Sequence, residues 1–462
     1  MAPTDVRGKR VSVIGAARSG IAVARLLAAH GALVFVSDSA PARSMGAAAE
    51  ALAAVGIAHE FGGHSERALA ADLMVLSPGV PSDAPPVRAA TDRGVQVVGE
   101  LEAASWFCPG PVVAITGTNG KTTTTTLVGR MLTDARMAAL VGGNIGTAFA
   151  QIVSEATAQT TVILEVSSFQ LDHVETFRPV VSVVLNVTPD HLDRYGHSFE
   201  NYAAAKARVF RNQGPGNTLV YNEEDPVTRR LVTELAPPGV RLLGFGTERA
   251  SGEGAWMRDG MVGTTIDGAT AELLPAGEIS IRGRHNLANA MAAALAARVM
   301  GVSAASVRAT LRNFKGVEHR LEFVRTVDGV TYVNDSKATN VDSVWYALQS
   351  FTAPLVVLVG GRDKGNDYTR LHDLARKHIR TVVAIGESAE KVVRAFQGVV
   401  PVIRAEGMTE AVTAARTAAR EGDVILLSPA CASFDWFKDY EHRGRVFKEI
   451  VMGLQPDAGE AA

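Results

Sequence analysis

The pattern of apolar and polar positions along the first quarter of the chain predicts a small parallel α/β unit. Residues 9–38 give an apolar strand, a glycine turn, a helical pattern and a second strand, and further strand-like runs lie at 73–76 and 95–98. Strands that alternate with helical patterns are typical of parallel sheets covered by helices. We therefore expect a Rossmann-like N-terminal domain.

A second α/β unit follows the segment WFCPGP, residues 106–111, whose proline and glycine content is typical of a linker. Its apolar strands include 161–165 and 180–186. Residues 241–283 combine glycines with short alternations, which predicts an antiparallel β excursion. An alanine-rich helical pattern at 286–300 then ends at a glycine.

The last third of the chain predicts another Rossmann-like α/β unit, with apolar strands at 355–359, 381–385 and 424–427 separated by helical patterns. The preceding boundary falls within 313–324. The fold class is therefore α/β with three domains, which we expect at residues 1–105, 106–316 and 317–462.

Composition narrows the class of protein. Hydrophobic residues make up 47% of the 462 residues, charged residues 20%, and the formal net charge is -2. A basic surface for nucleic acid or for an anionic membrane is not indicated, and no apolar run is long enough to span a bilayer. The two cysteines, Cys108 and Cys431, imply no disulfide framework. We expect no signal peptide, because glycines and arginines interrupt the apolar N-terminal stretch. We also expect a cytoplasmic protein and a monomer.

The stretch AITGTNGKTTTTTL, residues 114–127, resembles a phosphate-binding loop, although Ile115 occupies the place of the first glycine in the usual G-x-x-x-x-G-K-[ST] pattern. A buried strand precedes the loop and a helix follows it. The glycines bring backbone N–H groups to an anion, Lys121 can reach terminal phosphate oxygens, and the Thr122 hydroxyl can bind Mg²⁺. A plain glycine turn with a solvated lysine is the alternative.

Two further strand ends carry candidate metal ligands. Glu165 ends an apolar strand beside the phosphate loop, where an acid is suited to hold a metal ion. The strand 180–186 leads into NVTPDHLDRY, where His191 stands among acids and an asparagine. Lys206 lies on the helical pattern that follows, and its spacing alone favours a solvated helix lysine.

The first glycine turn, GAARSG, fits a dinucleotide fingerprint poorly. Ala17 replaces the middle glycine, although Asp38 supplies an acid about 20 residues further on. A nicotinamide cofactor, a different nucleotide and simple strand–helix packing all remain open at this turn.

Three polar loops follow strands in the last third: VNDSKATN at 333–340, GGRDKGND at 360–367, and the start of SPACASFDWFKDYEHRG at 428–444. Loops at neighbouring strand ends predict one shared small-molecule crevice. Asp335, Lys337, Lys364 and Ser433 mix both charge signs, which suits a zwitterionic or acidic ligand.

Taken together, GTNGKT, NVTPDHLDRY, GRHNLANA, HRLEF, NDSKATN and SPACASFDWF occur in the order typical of the Mur ligases of peptidoglycan assembly. The chain resembles this family over essentially its whole length, and most closely its D-glutamate-adding members. The family's loop is the shortened G-x-x-G-K-[ST], which accounts for Ile115. The resemblance implies that ATP phosphorylates the terminal carboxylate of UDP-N-acetylmuramoyl-L-alanine and that D-glutamate attacks the acyl phosphate, with two Mg²⁺ ions.

The resemblance also implies roles for individual residues. Catalytic roles fall to Lys121, Lys206, His191, Glu165 and Asn144. ATP contacts fall to Gly117, Thr118, Asn119, Gly120, Lys121, Thr122, Thr123, Asn286, Asn289, Arg320 and Asp335. Metal ligands are Thr122, Glu165, His191 and Lys206, the last as a carbamate. UDP-substrate contacts are Arg18, Ser19, Asp38 and Ser39. D-glutamate contacts are Lys337, Thr339, Lys364, Ser433, Phe434 and Tyr440, where Tyr440 stands in place of the commoner phenylalanine.

Other functions remain as alternatives. A nicotinamide-dependent oxidoreductase built on the first glycine turn leaves GTNGKT unexplained, and NADH binding without ATP binding would favour it. A nucleotide-dependent switch or assembly module would release phosphate regardless of amino acids. Within the family, another Mur step or a folylpolyglutamate-type ligase is the remaining alternative, against which the final serine-rich loop argues.

Overall fold

The computed structural model describes residues 5–281, 283–363 and 365–456. The chain divides into two compact units. The first unit contains the residues up to Ile279 together with Leu287–Asn313, and the second contains Ser280–Asn286 and the residues from Phe314 onward.

Within the first unit, five described strands form a parallel sheet in the order β3-β2-β1-β4-β5. The strands are β1 (Arg10–Ile14), β2 (Leu33–Asp38), β3 (Ala58–Phe61), β4 (Leu73–Leu76) and β5 (Gln96–Gly99). The helices are α1 (Arg18–Ala29), α2 (Gly46–Ala53), α3 (Glu66–Leu69), α4 (Pro85–Asp92) and α5 (Glu100–Ser105). This arrangement confirms the predicted Rossmann-like start of the chain.

A second sheet of the first unit has nine strands among the residues that the structure describes, in the order β14-β13-β12-β11-β10-β9-β6-β8-β7. The strands are β6 (Val112–Thr116), β7 (Ala139–Gly143), β8 (Thr161–Glu165), β9 (Val181–Val184), β10 (Thr218–Asn222), β11 (Arg241–Phe245), β12 (Gly254–Arg258), β13 (Met261–Ile266) and β14 (Ala269–Pro275). The helices are α6 (Lys121–Asp134), α7 (Phe149–Ile152), α8 (Ser168–Leu171), α9 (Phe199–Ala207), α10 (Pro226–Leu235), α11 (Arg284–Val299) and α12 (Ala304–Asn313).

The antiparallel excursion is shorter than predicted. β11, which begins at Arg241, still pairs in parallel with β10, and β12 pairs in parallel with β11. Among the described strands of this sheet, the antiparallel pairs are β12 with β13 and β13 with β14. The alternating pattern of residues 241–283 predicts strands but carries no information on their direction, because strand direction depends on the connections between them.

The second unit contains a mixed sheet whose described strands follow the order β15-β16-β20-β17-β18-β19, with an antiparallel pair only at the β15 edge. The strands are β15 (Glu322–Val327), β16 (Val330–Asn334), β17 (Leu355–Gly360), β18 (Ile379–Ile385), β19 (Val402–Arg404) and β20 (Val424–Leu427). The helices are α13 (Val341–Leu348), α14 (His372–His378), α15 (Ala389–Phe396), α16 (Met408–Ala418) and α17 (Tyr440–Gly453).

Burial explains why these segments form strands. Every residue of β6, β8 and β17 is buried, as expected for parallel strands covered by helices on both faces. Apolar clusters fill the two faces of the last sheet separately. Within the described part of the chain, no helix has the length and apolar composition that crossing a membrane requires.

Candidate active site

The predicted phosphate loop joins β6 to α6, and both of its glycines are sterically required. Gly120 has φ +86°, and a Cβ there would lie 2.2 Å from Asn289 Oδ1. Gly117 has φ +149°, and a Cβ there would lie 2.9 Å from Leu185 Cβ. Residues with a side chain rarely adopt such backbone angles, so glycine is favoured and the backbone N–H groups of the loop stay uncovered. The loop therefore has the form that anion binding by backbone N–H groups needs.

Hydrogen bonds fasten the loop to the end of the neighbouring strand β9. Asn186 Oδ1 accepts the Asn119 N–H at 2.9 Å, and Asn186 Nδ2 donates to the Asn119 carbonyl at 3.0 Å. The Thr118 N–H donates to the Asn186 carbonyl at 2.9 Å. Thr118 Oγ1 donates to the Thr188 carbonyl and lies 3.1 Å from the Tyr202 hydroxyl. The NVTPDHLDRY segment thus fixes the shape of the phosphate loop.

Lys121 begins α6 and turns back over the loop. Its Nζ donates to the carbonyl oxygens of Gly117 at 2.9 Å and Thr118 at 2.8 Å. The positive end of the α6 dipole lies at the same point, since Gly120 is the N-cap residue. Positive charge and the helix N-terminus therefore coincide where a phosphate would bind. Thr123 is buried in the first turn of α6.

Three polar side chains meet at the end of β8. Thr122 Oγ1 donates to Glu165 Oε2 at 2.7 Å, and Asn144 Nδ2 donates to Glu165 Oε1 at 3.0 Å. Glu165 is only 2% exposed. This carboxylate, the hydroxyl and the amide supply the hard oxygen ligands that Mg²⁺ prefers, so the donor set fits a magnesium ion.

Lys206 is buried, contrary to the solvated helix lysine that its spacing alone favours. It lies on α9 at 2% exposure, and its Nζ donates to the Gly117 carbonyl at 2.9 Å. The same Nζ lies 4.6 Å above the centroid of the Tyr202 ring. Burial and the nearby Lys121 ammonium lower the pKa of Lys206 well below its usual range. The tertiary fold thus brings this lysine to the phosphate loop.

His191 lies at the tip that follows β9, with a left-handed backbone at φ 51°. Its Nε2 is 3.8 Å from Asp190 Oδ2, and its ring meets the Phe169 ring edge-to-face at 6.0 Å. The imidazole is 40% exposed. It is therefore accessible to a ligand entering beside the loop.

The two predicted asparagines of α11 are both buried. Asn289 packs directly on Gly120 of the phosphate loop. Asn286 belongs to the second compact unit. The sequence pattern placed both on one helix, and Asn289 is in contact with the loop within the first unit.

The four residues predicted for the UDP-substrate lie around the ends of β1 and β2. Asp38 Oδ2 accepts the Ala16 N–H at 2.7 Å and its Oδ1 accepts the Ala40 N–H at 2.8 Å. Asp38 therefore closes the first glycine turn through the backbone. Arg18 and Ser19 lie at the start of α1, and Ser39 follows β2. The side chains of Arg18 and Ser39 are exposed, and that of Ser19 is half-buried.

In the second unit, the two residues predicted to contact ATP, Arg320 and Asp335, lie close together. Arg320 Nη1 is 3.7 Å from Asp335 Oδ1, and Asp335 Oδ2 accepts the Ser428 hydroxyl at 2.9 Å. Burial raises the pKa of Asp335 to about 6, while the Arg320 charge acts in the opposite direction. Burial also lowers the pKa of His285 to about 4, and the positive charge of Arg320 adds to that effect.

The predicted D-glutamate residues differ widely in exposure. Ser433 is buried at 2%, whereas Phe434 is 61% exposed. Thr339 is half-buried. Lys337 Nζ lies 5.2 Å from the centroid of the Tyr440 ring, so these two predicted residues are in cation–π contact. Lys364 lies outside the described residues.

A residue that the sequence did not single out joins these loops. Arg443 of α17 is 1% exposed. Its Nε and Nη2 donate to the hydroxyl and carbonyl oxygens of Ser336, at 2.9 and 2.8 Å. Its Nη1 donates to the carbonyl oxygens of Cys431 and Ala432. Burial lowers the pKa of Arg443 to about 10. One guanidinium thus holds the loops after β16 and β20 together. The local sequence around Arg443 does not predict this role, because an arginine on a helix is usually exposed.

The described residues form three α/β sheets, and one of them carries a phosphate-binding loop beside a buried glutamate. This combination defines a class of nucleotide-dependent enzymes. Family models match three successive segments. They are the Mur ligase MurD-like N-terminal domain over residues 9–99, the Mur ligase middle domain over 115–297, and the Mur ligase glutamate ligase domain over 319–431. The chain belongs to the Mur ligase family.

Two relatives align over almost the whole chain, and both are named UDP-N-acetylmuramoylalanine–D-glutamate ligase. The protein from Salinibacter ruber is 54% identical over 461 residues, which are 98% of this chain and 100% of the relative. The protein from Pelotomaculum thermopropionicum is 46% identical over 98% of this chain and 99% of its own length.

Solved structures share the fold at lower identity. A pseudomurein peptide ligase type C from Methanothermus fervidus has a TM-score of 0.60 at 19% identity, covering 97% of this chain and 100% of its own. The UDP-N-acetylmuramate–alanine ligase MurC from Thermotoga maritima has a TM-score of 0.59 at 21% identity, covering 96% and 99%. These likenesses confirm the three-part α/β architecture.

Proposed function

We propose that this chain is an ATP-dependent ligase that joins D-glutamate to UDP-N-acetylmuramoyl-L-alanine, forming ADP and phosphate, in peptidoglycan precursor synthesis. Family membership and full-length relatives of that name support this assignment. The observation that carries the chemistry is the contact of Thr122 and Asn144 with buried Glu165, directly beside the phosphate loop. An oxidoreductase would leave this cluster and the loop without a role.

The reaction requires two anions to meet. A carboxylate oxygen of the UDP-substrate attacks the γ-phosphorus of ATP, the bond to the bridging oxygen breaks, and ADP leaves. The neutral amine of D-glutamate then adds to the acyl carbon, and the tetrahedral intermediate expels phosphate and a proton. Lys121 and the backbone N–H groups of the loop offset the charge on the transferred phosphoryl group.

Two magnesium ions would be held by residues at or after the strand ends. Thr122 and Glu165 would hold one ion under the ATP phosphates, and Glu165 and His191 would contribute to a second near the substrate carboxylate. Bound there, Mg²⁺ withdraws electron density from the phosphoryl and carboxylate oxygens and reduces their mutual repulsion. Asn144 orients Glu165 through its amide and would face the reacting carboxyl group.

Lys206 would act as a carbamate. Burial lowers the pKa of its amine, which favours the uncharged form that adds to CO₂ with loss of a proton. The product is an anion in place of a cation, next to Lys121 and the proposed metal site. Such an anion would help to hold Mg²⁺.

The remaining contacts follow from the sequence resemblance and are proposals. ATP would also meet Asn286, Asn289, Arg320 and Asp335. D-glutamate would be bound by Lys337, Thr339, Lys364, Ser433, Phe434 and Tyr440. The UDP end of the first substrate would meet Arg18, Ser19, Asp38 and Ser39. We also propose that the enzyme is cytoplasmic, since its substrates are charged nucleotides and a free amino acid, and that it is a monomer.

A phosphate-release assay over a panel of substrates tests this function. We expect release only when ATP, UDP-N-acetylmuramoyl-L-alanine and D-glutamate are all present. L-alanine, diaminopimelate, lysine and folate-type acceptors serve as the comparison set. Phosphate release that ignores the amino acid would contradict the assignment, as would a preference for another acceptor.

A further inference from the structure

Arg194 connects the tip that carries His191 with the first sheet. It lies in the short 3₁₀ turn Leu192–Tyr195, directly after His191. Its Nη2 donates to the Val80 carbonyl at 3.1 Å, and its Nη1 lies 3.4 Å from the Pro78 carbonyl. Both carbonyls belong to the turn that follows β4. A side chain of the turn that follows β9 is therefore anchored to the backbone of the turn that follows β4.

The same guanidinium also contacts Phe169. Arg194 Cζ lies 4.9 Å from the centroid of that ring, a cation–π arrangement. The Phe169 ring in turn meets the His191 ring edge-to-face at 6.0 Å. Phe169 is part of α8, which begins three residues after Glu165. Arg194 thus contacts a ring that packs on His191 and that lies four residues after Glu165 in sequence.

The turn held by Arg194 packs on the first glycine turn. The Val80 N–H donates to the Ser77 carbonyl at 2.9 Å and closes the turn. A Cβ at Gly15 would lie 2.9 Å from Ser77 Cβ and 3.0 Å from a Val80 methyl group. The two turns are therefore in direct contact, and a shift of one moves the other. Gly15 opens the segment that leads to Arg18 and Ser19.

An arginine suits this position for a physical reason. Its planar guanidinium offers several donors in a fixed fork and stacks on an aromatic face at the same time. A lysine could donate to one carbonyl but could not maintain the fork and the stacking together. The geometry is therefore that of a brace between two parts of the first compact unit.

We propose that Arg194 is a positioning residue for UDP-N-acetylmuramoyl-L-alanine, fixing the distance between the glycine turn that receives the UDP end and the tip that receives the reacting carboxylate. This inference rests on the proposed function. A ligand that spans two subsites gains from both only when their separation matches its own length. A fragment that occupies one subsite gains nothing from the brace.

The test compares UDP with the full substrate in Arg194→Met and Arg194→Lys, using calorimetry and steady-state rates. In Arg194→Met we expect the affinity for UDP to stay within about twofold. The affinity for UDP-N-acetylmuramoyl-L-alanine should fall about ten- to hundredfold, and kcat should fall too, as loss of charged hydrogen bonds predicts. Arg194→Lys should be intermediate. Arg130→Met, which removes an exposed arginine paired with Asp134, is the control and should change neither affinity.

Parallel loss of UDP and substrate affinity in both variants would overturn the proposal, because it would indicate local damage to the first sheet. Unchanged substrate affinity and kcat in Arg194→Lys and Arg194→Met would overturn it as well. Failure of the proposed function has a different signature, since the parent enzyme itself would then release no phosphate in response to D-glutamate.

Discussion

Lys121 and Lys206 donate hydrogen bonds to the same oxygen atom, the carbonyl oxygen of Gly117, each at 2.9 Å. Two ammonium groups on one acceptor repel each other, and the repulsion adds to the burial that lowers the pKa of Lys206. Conversion of Lys206 to a carbamate would replace this repulsion by attraction. The pairing therefore gives a structural reason for the modification that the family resemblance implies.

The first prediction concerns Lys206→Ala. We expect nearly complete loss of ligation, with partial recovery on addition of formate or acetate, because a small carboxylate can occupy the position of the missing anion. Phosphate release with and without added acid is the measurement. Lys377→Ala, at an exposed position of α14, should keep the parent rate and gain nothing from the acid. Full activity of Lys206→Ala without added acid would refute the carbamate role.

The second prediction separates phosphate transfer from UDP-substrate binding. Lys121 belongs to the central phosphate loop, whereas the predicted UDP contacts lie at the ends of β1 and β2. Lys121→Ala should therefore abolish turnover while the calorimetric affinity for UDP-N-acetylmuramoyl-L-alanine stays within a few-fold of the parent. Substantial residual turnover would contradict a role of Lys121 in phosphoryl transfer.

The third prediction concerns the D-glutamate site. Ser433→Ala should raise the Michaelis constant for D-glutamate about tenfold and leave that for ATP within about twofold, because one hydrogen bond to a carboxylate is lost. Lys364→Ala should raise the Michaelis constant for D-glutamate by about one to two orders of magnitude. L-glutamate should be a poor substrate, since it cannot place its amine and both carboxylates at once. A change confined to the Michaelis constant for ATP would contradict a role of these residues in binding D-glutamate. Equal use of the two glutamate enantiomers would contradict it as well.

The fourth prediction follows from Glu100, at the start of α5. The side chain is 1% exposed, Oε1 accepts the Ala150 N–H at 2.8 Å, and Oε2 has no hydrogen-bond partner among the described residues. Burial raises the pKa of Glu100 to about 7 from 4.5. Between pH 4.5 and about pH 7, the folded state therefore binds more protons at Glu100 than the unfolded state does. The free energy of unfolding should therefore fall as pH rises through this interval, with the whole penalty present above about pH 7.

Glu100→Gln removes the ionisation and retains an oxygen for the Ala150 N–H. The variant should gain stability over the parent as pH rises from 5 to 8, by up to about 3 kcal/mol. Urea unfolding at four pH values across this range measures the difference, with Glu155→Gln at an exposed position as the control. A difference between Glu100→Gln and the parent that does not change with pH would exclude Glu100 as the titrating group.

Much of the fold could be predicted from the sequence, because its signals are local. The fully buried strands β6, β8 and β17 appear as continuous apolar runs, and the glycines of the phosphate loop mark a backbone that other residues rarely adopt. The direction of β11 could not be predicted, since a strand of the same pattern can pair in either direction. The exact ends of α11 and β9 also differ from the prediction by one or more residues.

The sequence by itself determined the order of elements, the phosphate loop and the polar strand ends, since each depends on neighbouring residues and on their period. Only the tertiary structure decided which of these residues meet. Glu165 reaches Thr122 across 43 residues of sequence, and Lys206 reaches Gly117 across 89. Both contacts arise because β6 lies between β8 and β9, so that three strand ends come together at one edge of the sheet. The burial of Lys206 follows from that packing. The carbonyl contacts of Arg194 with Val80 and of Arg443 with Ser336 likewise join residues that are distant in sequence, and no local pattern contains them.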